Sequence, residues 1–416
     1  MWKIIYNILA NLALPPFLLY AITQKKIRKN LFERLSVTTK GSNINDAVWI
    51  HAASVGEATI AENLIRFMKH QTNLQRFVIT TNTYYTRDML RTKLGMEIPV
   101  FSMPLDLGYL VRRFIGESKF KVLVIIETEI WPNLIWQAKK LGIPVVIVNG
   151  RISDQTITRY RRLSAFLVHI LSYVEHVAAQ SEEHRNRFIS IGMDPKKITS
   201  IGNIKYCRML KSTGNTPVKG NIVTFGSIKE KELEVVLPVI ISLKNYSQNT
   251  TIYIAPRELH LTTTIENELS KLFRVARFSS LNEGIQGKTD IVLVDTVGDL
   301  VSIYAKSIVA FVGGSLAPYG GQNILEPLFF GTPVIFGPYM ENFKDIADIV
   351  LENKAGIMVT NGNELYEAIT NIMVNESLNR EMGDAGRLII QKQQDVMMKT
   401  VDIIRNVVKA GDGRRS

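Results

Sequence analysis

One cysteine, Cys207, stands in a chain of 416 residues. A single thiol closes no intrachain disulfide and assembles no thiolate metal cluster, which fits a reducing, cytoplasmic setting. Histidine is scarce too. The six (His51, His70, His169, His176, His184 and His260) show no H-E-x-x-H or other paired ligand spacing, so neither a structural nor a catalytic zinc has a motif to rest on. Each reads as a packing or surface residue. No recognisable nucleic-acid motif occurs, and no small-residue cleavage site follows the apolar N-terminus. The most glycine-rich stretch follows neither G-x-G-x-x-G nor G-x-x-x-x-G-K-[ST], so the dinucleotide and P-loop readings lose their specific support.

What is present is ordinary globular composition, 46% hydrophobic and 21% charged, with length for about two or three domains and two sizeable cores. A formal net charge of +12 suits an acidic partner: nucleic acid, an anionic membrane surface or a phosphorylated substrate. At the N-terminus Ile4 to Ile22 is nearly all apolar and is followed by Lys25, Lys26, Arg28, Lys29 and Arg34. Its length is close to that of a bilayer span, although Asn7, Asn11 and Pro15-Pro16 weaken it as one. Residues 1–35 therefore read as an uncleaved membrane anchor or interfacial helix, with the basic cluster and the rest of the chain on the cytoplasmic side. The alternative is an amphipathic helix docked on its own domain.

Beyond it, short apolar runs alternate with helical patterns: Ala47 to His51, Phe77 to Thr81, Val122 to Ile126, Val145 to Asn149 and Val177 to Gln180. Strands apolar on both faces imply a parallel sheet covered on two sides, so residues 36–210 are expected to form a doubly wound α/β domain. Turn formers fill residues 211–220, which mark a linker. Alternation resumes with Ile222 to Phe225, Thr251 to Ile254, Ile291 to Val294, Ile308 to Val312, Val334 to Phe336 and Ile357 to Val359, a second doubly wound domain over 221–416. Its last segment, Leu378 to Lys409, is helical and can return to the first domain. Two such domains are expected to leave a cleft, with ligands at the carboxyl ends of the strands.

Every chemistry-bearing motif lies at such a strand end. In Trp49-Ile-His-Ala-Ala-Ser-Val-Gly-Glu57 a strand runs into a turn with Glu57 entering a helix. Glu57 is either a general base, its pKa kept low by the helix dipole, or the acidic half of a Ser54–Glu57 capping box. Val122-Leu-Val-Ile-Ile-Glu-Thr-Glu-Ile-Trp-Pro132 ends an apolar strand in two carboxylates. Glu127 has either an ion-pair partner or a catalytic task, and Glu129 favours the following helix start. Ile198-Thr-Ser-Ile-Gly-Asn-Ile-Lys205 presents a lysine, either solvated or facing a phosphate or carboxylate.

In the second half Arg257 follows a strand, where its planar fork can grip a phosphate, and Asp295-Thr-Val-Gly-Asp299 supplies a glycine turn and a carboxylate. Phe311-Val-Gly-Gly-Ser-Leu-Ala-Pro-Tyr-Gly-Gly-Gln-Asn-Ile-Leu-Glu-Pro327 opens a strand into two glycine pairs and an Asn-x-x-Glu helix start. Either it binds an anion through backbone N–H groups and the helix N-terminus, or it is a capped helix without a ligand. Ser227 to Glu230 is one more S-x-x-E box.

Taken together, His51-Ala-Ala-Ser-Val-Gly-Glu57, Glu127-Thr-Glu-Ile-Trp-Pro-Asn133, Val148-Asn-Gly-Arg-Ile-Ser153, Gly202-Asn-Ile-Lys205, Pro256-Arg257, Asp295-Thr-Val-Gly-Asp299, Phe311-Val-Gly-Gly-Ser315 and Gly320-Gly-Gln-Asn-Ile-Leu-Glu326 resemble, in order, the signatures of the bacterial Kdo (3-deoxy-D-manno-octulosonic acid) transferases. The resemblance implies a GT-B fold of two Rossmann-like domains. It also implies an inverting, metal-independent transfer of Kdo from CMP-Kdo to the lipid A precursor lipid IVA in lipopolysaccharide core biosynthesis, at the cytoplasmic face of the inner membrane, without a cofactor. By motif, Glu57 would be the proton acceptor, with Glu127 and Lys205 stabilising the transition state. CMP would be held by Pro256 and Arg257, by Val297, Gly298 and Asp299, and by Asn323, Ile324, Leu325 and Glu326. The anionic membrane surface is an implied partner and nucleic acid is not.

Three positions depart from the family pattern, each replacing a histidine: Lys229, Glu258 and Gln322. Rival readings are another GT-B sugar-nucleotide enzyme, transferase or epimerase, and a basic membrane-tethered nucleic-acid-binding module.

Overall fold

The computed structural model describes residues 1–36, 44–207, 219–283 and 289–413. Most of the expected linker, residues 211–218, lies outside them. The chain divides into two compact units, residues 1–209 with 393–416, and residues 210–392.

The first unit is built on seven strands: β1 (Val48–His51), β2 (Phe77–Thr81), β3 (Val100–Ser102), β4 (Val122–Ile126), β5 (Val145–Gly150), β6 (His176–Ala179) and β7 (Ile198–Ser200). All pairs are parallel, in the order β3-β2-β1-β4-β5-β6-β7. Alternate residues serve opposite faces, as the two-residue period of a strand requires. Trp49, Leu123, Ile125 and Ile147 pack into one core and Ile50, Val122, Val124 and Val146 into the other. The chain winds outward from β1 through β3 and then crosses to β4, so the winding reverses where β1 and β4 lie side by side.

The last helix, Glu376–Asp412, ends in this unit. Met397, Val401, Ile404 and Val408, spaced four, three and four apart, are buried in the second core. Each such side chain contributes roughly 1.5–3 kcal/mol on burial, whereas a half-exposed pair such as Lys121–Asp412 at 3.9 Å adds about 1 kcal/mol at most. Apolar packing, not charge, holds the terminal helix.

The second unit repeats the plan with β8 (Ile222–Ile228), β9 (Thr251–Pro256), β10 (Val275–Arg277), β11 (Ile291–Leu293), β12 (Val309–Val312), β13 (Val334–Phe336) and β14 (Gly356–Met358). They too are all parallel, in the order β10-β11-β9-β8-β12-β13-β14. Here the winding reverses between β8 and β12. The three-residue strands β3 and β10, at one edge of each sheet, were not expected from the apolar runs. In open parallel sheets such reversals are where ligands bind, just beyond the carboxyl ends.

Strained backbone marks the same places. Among the described residues the non-glycine positive φ values include Glu127 (φ 60), Asn149 (φ 56) and Ser227 (φ 59), which sit at the carboxyl ends of β4, β5 and β8. Left-handed φ costs a side-chain-bearing residue energy, and it persists only where surrounding contacts hold it.

Candidate active site

Beyond β1 the chain turns through Ala52 and Ala53 and enters the helix Val55–Gln71 with Ser54 as its N-cap. The Ser54 hydroxyl accepts from the Glu57 backbone N–H (3.3 Å) and donates to Glu57 Oε1 (2.7 Å), while Glu57 Oε2 accepts from the Ala53 N–H (2.8 Å). The cap is therefore real. Yet Glu57 is only 6% exposed, and burial pushes its carboxyl up to about 7, against the lowering effect of the Ser54 and Ala53 hydrogen bonds and with help from the negative charges of Glu129 and Glu127. This corrects the expectation of a pKa held low by the helix dipole: desolvation outweighs the dipole. The capping residue is also a carboxyl with a raised pKa.

Across the reversal, the loop after β4 holds Glu127. Burial raises its pKa, while Arg151 and Lys205 oppose the rise, so the structure brings Glu127, Lys205 and Arg151 into electrostatic range. Lys205 lies on a short 3-10 turn, Ile204–Tyr206, fastened to the end of β5: buried Asn149 accepts from the Ile204 N–H through Oδ1 at 3.0 Å. Arg151 and Asn149 sit in the motif Val148 to Ser153, whose side chains received no role from the sequence.

Glu129 does not serve the following helix start. Its Oε2 accepts from Trp131 Nε1 (2.8 Å) and Asn82 Nδ2 (3.3 Å) and lies 4.0 Å from His51 Nε2. His51 is fully buried, and desolvation, with the Arg34 charge, drives its pKa down to about 3, so it is neutral and no base. The helix Pro132–Lys140 is capped instead by Asp106, which accepts from the Asn133 (3.0 Å) and Leu134 (2.9 Å) N–H groups.

In the second unit the glycine turn beyond β12 holds an anion, but the anion belongs to the chain. Glu232, 1% exposed, accepts from Lys229 N (2.9 Å) and Gly314 N (2.7 Å) at Oε2 and from Ser315 N and Leu316 N (both 2.9 Å) at Oε1. A Cβ at Gly313 would stand 2.8 Å from the same carboxylate. The phosphate reading of the first glycine pair is thereby corrected, since its backbone donors are already engaged. The box expected at Ser227–Glu230 is replaced by a one-sided cap, in which Glu232 accepts from the Lys229 N–H.

Of the expected nucleotide residues, Pro256 is buried at the end of β9. Arg257 is exposed, with its N–H bound to Ile228 O at 2.8 Å. Val297 is 86% exposed beside Gly298 (φ 104), and Asp299 precedes the helix Leu300–Lys306. Asn323 accepts from Leu325 N (3.2 Å) and donates to Glu326 Oε1 (3.0 Å) ahead of the short helix Leu325–Phe329. Its N-cap is Ile324, one residue later than expected. The three turns follow β9, β11 and β12, on the carboxyl edge of one parallel sheet. Two of the three family departures touch: Lys229 Nζ pairs with Glu258 Oε1 and stands 5.3 Å from the Tyr319 ring centroid.

Comparison with known proteins gives this geometry a context. A family model described as 3-deoxy-D-manno-octulosonic-acid transferase (kdotransferase) matches residues 29–208. A 3-deoxy-D-manno-octulosonic acid transferase of Haemophilus influenzae is 29% identical over 97% of this chain and 98% of its own. A bifunctional glycosyltransferase/methyltransferase of Fusobacterium nucleatum is 32% identical over 95% of this chain, which spans 64% of that relative's length. Among solved structures, Acinetobacter baumannii MurG shares the fold, with a TM-score of 0.53 over 87% of this chain and 99% of that one, at 14% identity.

Proposed function

We propose that this chain, which belongs to the 3-deoxy-D-manno-octulosonic-acid (Kdo) transferase family and has the GT-B glycosyltransferase fold, moves Kdo from CMP-Kdo to lipid IVA at the cytoplasmic face of the inner membrane. The observation that carries the reading is Glu57, a buried carboxylate titrating near 7 beside the reversal of the first sheet. A general base works best when its pKa lies near the working pH.

In the proposed step Glu57 accepts the proton of an acceptor sugar hydroxyl as that oxygen bonds to the anomeric carbon of Kdo. The bond from that carbon to the CMP phosphate oxygen breaks, and a single displacement inverts the configuration. Glu127 and Lys205 stabilise the charges that shift, and Arg151, within electrostatic range of Glu127, joins them. CMP is held by Pro256, Arg257, Val297, Gly298, Asp299 and Asn323 to Glu326. Because Glu232 occupies the Gly314 to Leu316 amides, the phosphate is assigned to Arg257 and the Asn323 turn. The leaving group carries one phosphate, which cationic side chains stabilise without a metal ion.

Purified protein incubated with CMP-Kdo and lipid IVA in EDTA is expected to give Kdo-bearing lipid, read by mass spectrometry, together with free CMP. An unchanged acceptor would overturn the assignment. Transfer that appears only on adding magnesium would overturn the metal-free step.

A further inference from the structure

The N-terminal helix, Trp2–Thr23, has 22 residues and is long and apolar enough to cross a bilayer. Its burial argues otherwise. Trp2, Tyr6, Ala10, Leu14, Phe17 and Ala21 are half-buried or buried, and their spacing of three and four residues makes one continuous stripe down the whole helix. On the opposite side Ile4, Ile8, Leu12 and Leu19 are 65%, 54%, 69% and 71% exposed. One face is half-buried along its length and the other is bare.

Directional bonds fasten the chain to the first unit at the start of this helix and again in the helix that follows it. At the start, Tyr6 donates to Asp106 Oδ2 (2.8 Å) and packs against Phe166 and Trp136, and Asn7 donates to Asn133 Oδ1 (3.1 Å). Beyond the other end the helix Lys25–Ser36 is tied down by Asn30, which donates to Asn82 O (2.7 Å) and accepts from Ser102 Oγ (2.8 Å). Arg34 donates to Met103 O at 2.8 Å. The hydrogen-bond partners lie in β3, in the loops after β2 and β3, and at the start of the helix Pro132–Lys140. A crossing helix places its ends on opposite sides of about 30 Å of hydrocarbon, and one globular unit cannot hold both.

We infer that Trp2–Thr23 lies flat in the lipid–water boundary, docked lengthwise on the first unit with its bare aliphatic face in the bilayer, and does not cross it. This rests on the membrane reading proposed above and deepens it. The occupant of the bare face is an anionic lipid surface: no Asp or Glu occurs before Glu33, while Lys3, Lys25, Lys26, Arg28 and Lys29 flank the apolar run, the charge pattern of an interfacial helix. The docking bonds are made to the carboxyl rim that carries Glu57, so the helix brings the lipid surface to the acceptor side of the site.

The test uses the full chain with single cysteines at Ile8, Leu12 and Leu19, labelled with an environment-sensitive fluorophore. Cys207 is 6% exposed and contributes little background. With vesicles of phosphatidylethanolamine and phosphatidylglycerol, lipids spin-labelled high or low on the acyl chain report depth. All three sites are expected to be quenched more by the shallow label, with ratios equal to within about twofold. A Leu12 site quenched chiefly by the deep label would mean a crossing helix and would overturn the inference while leaving membrane association intact. Absence of vesicle binding would overturn both, as would burial of the face against a second copy, seen as a lipid-independent dimer. As a second arm, the Ile8→Glu/Leu12→Glu variant is expected to lose vesicle binding by about tenfold or more while binding CMP like the parent. Unchanged vesicle binding would contradict the docking face.

Discussion

Each unit sets a buried glutamate beyond the carboxyl end of a central strand, and the two are held in different ways. Glu232 in the second unit receives four backbone N–H donors from two loops. Glu57 in the first receives one backbone N–H and one hydroxyl, and burial, helped by two further carboxylates, raises its pKa. Four donors fix an anion as a structural counter-charge. Two donors in a desolvated, negative setting leave it ready to take a proton. Burial is common to both carboxylates; the count of donors and the sign of the neighbouring charge differ.

The sharpest way to break this contrast is to neutralise both residues. Glu57→Gln keeps the cap geometry and loses the base, so transfer is expected to fall by about 10²–10⁴ in a single-turnover assay. The same change should not cost stability. The Glu57 pKa is raised from 4.5 to about 7 in the fold, so its proton stabilises the native state below pH 4.5 and that contribution is lost as pH rises through 7. The variant is therefore expected to gain about 1–3 kcal/mol on the parent between pH 4 and pH 8, read by denaturant melts.

Glu232→Ala is expected to do the reverse. Four orphaned amides should cost about 3–5 kcal/mol of stability, seen as a lower melting temperature of the second unit. A Glu232 variant of normal stability would erase the distinction. The smallest effect is expected at Lys229 and Glu258, where side-chain exposures of 18% and 38% limit the coupling to about 1 kcal/mol. A double-mutant cycle with Lys229→Met and Glu258→Gln, read by CMP titration, would reveal whether the pair does more.

Both sheets were visible in the sequence wherever strands were long and buried: the run Val122 to Ile126 is a strand with the same bounds. The three-residue strands β3 (Val-Phe-Ser) and β10 (Val-Ala-Arg) escaped because each breaks off in a polar residue, whereas the equally short β13 (Val-Ile-Phe) is wholly apolar and was readable. At the candidate site, Ser54 capped the helix its pattern announced because both partners lie within one turn. Glu232 and Asp106 were not legible as caps, since they bind amides that are 82–84 and 27–28 residues away, contacts that only the fold creates. The pKa of Glu57 was misjudged for a related reason. A helix dipole is local and readable, whereas desolvation by a packed surface and repulsion from Glu127 and Glu129 require the assembled rim. Three of the positive-φ residues fall on that kind of position, where long-range contacts hold backbone that local preference disfavours.

The most direct measurement is the pH dependence of single-turnover Kdo transfer from CMP-Kdo by the wild-type protein, with Glu57→Gln alongside. The rate should climb with pH, break near 7 and then level off, while the variant stays slow and flat across the range. A wild-type profile without that break, or a Glu57→Gln protein that transfers at the parental rate, would contradict the assignment of Glu57 as the base.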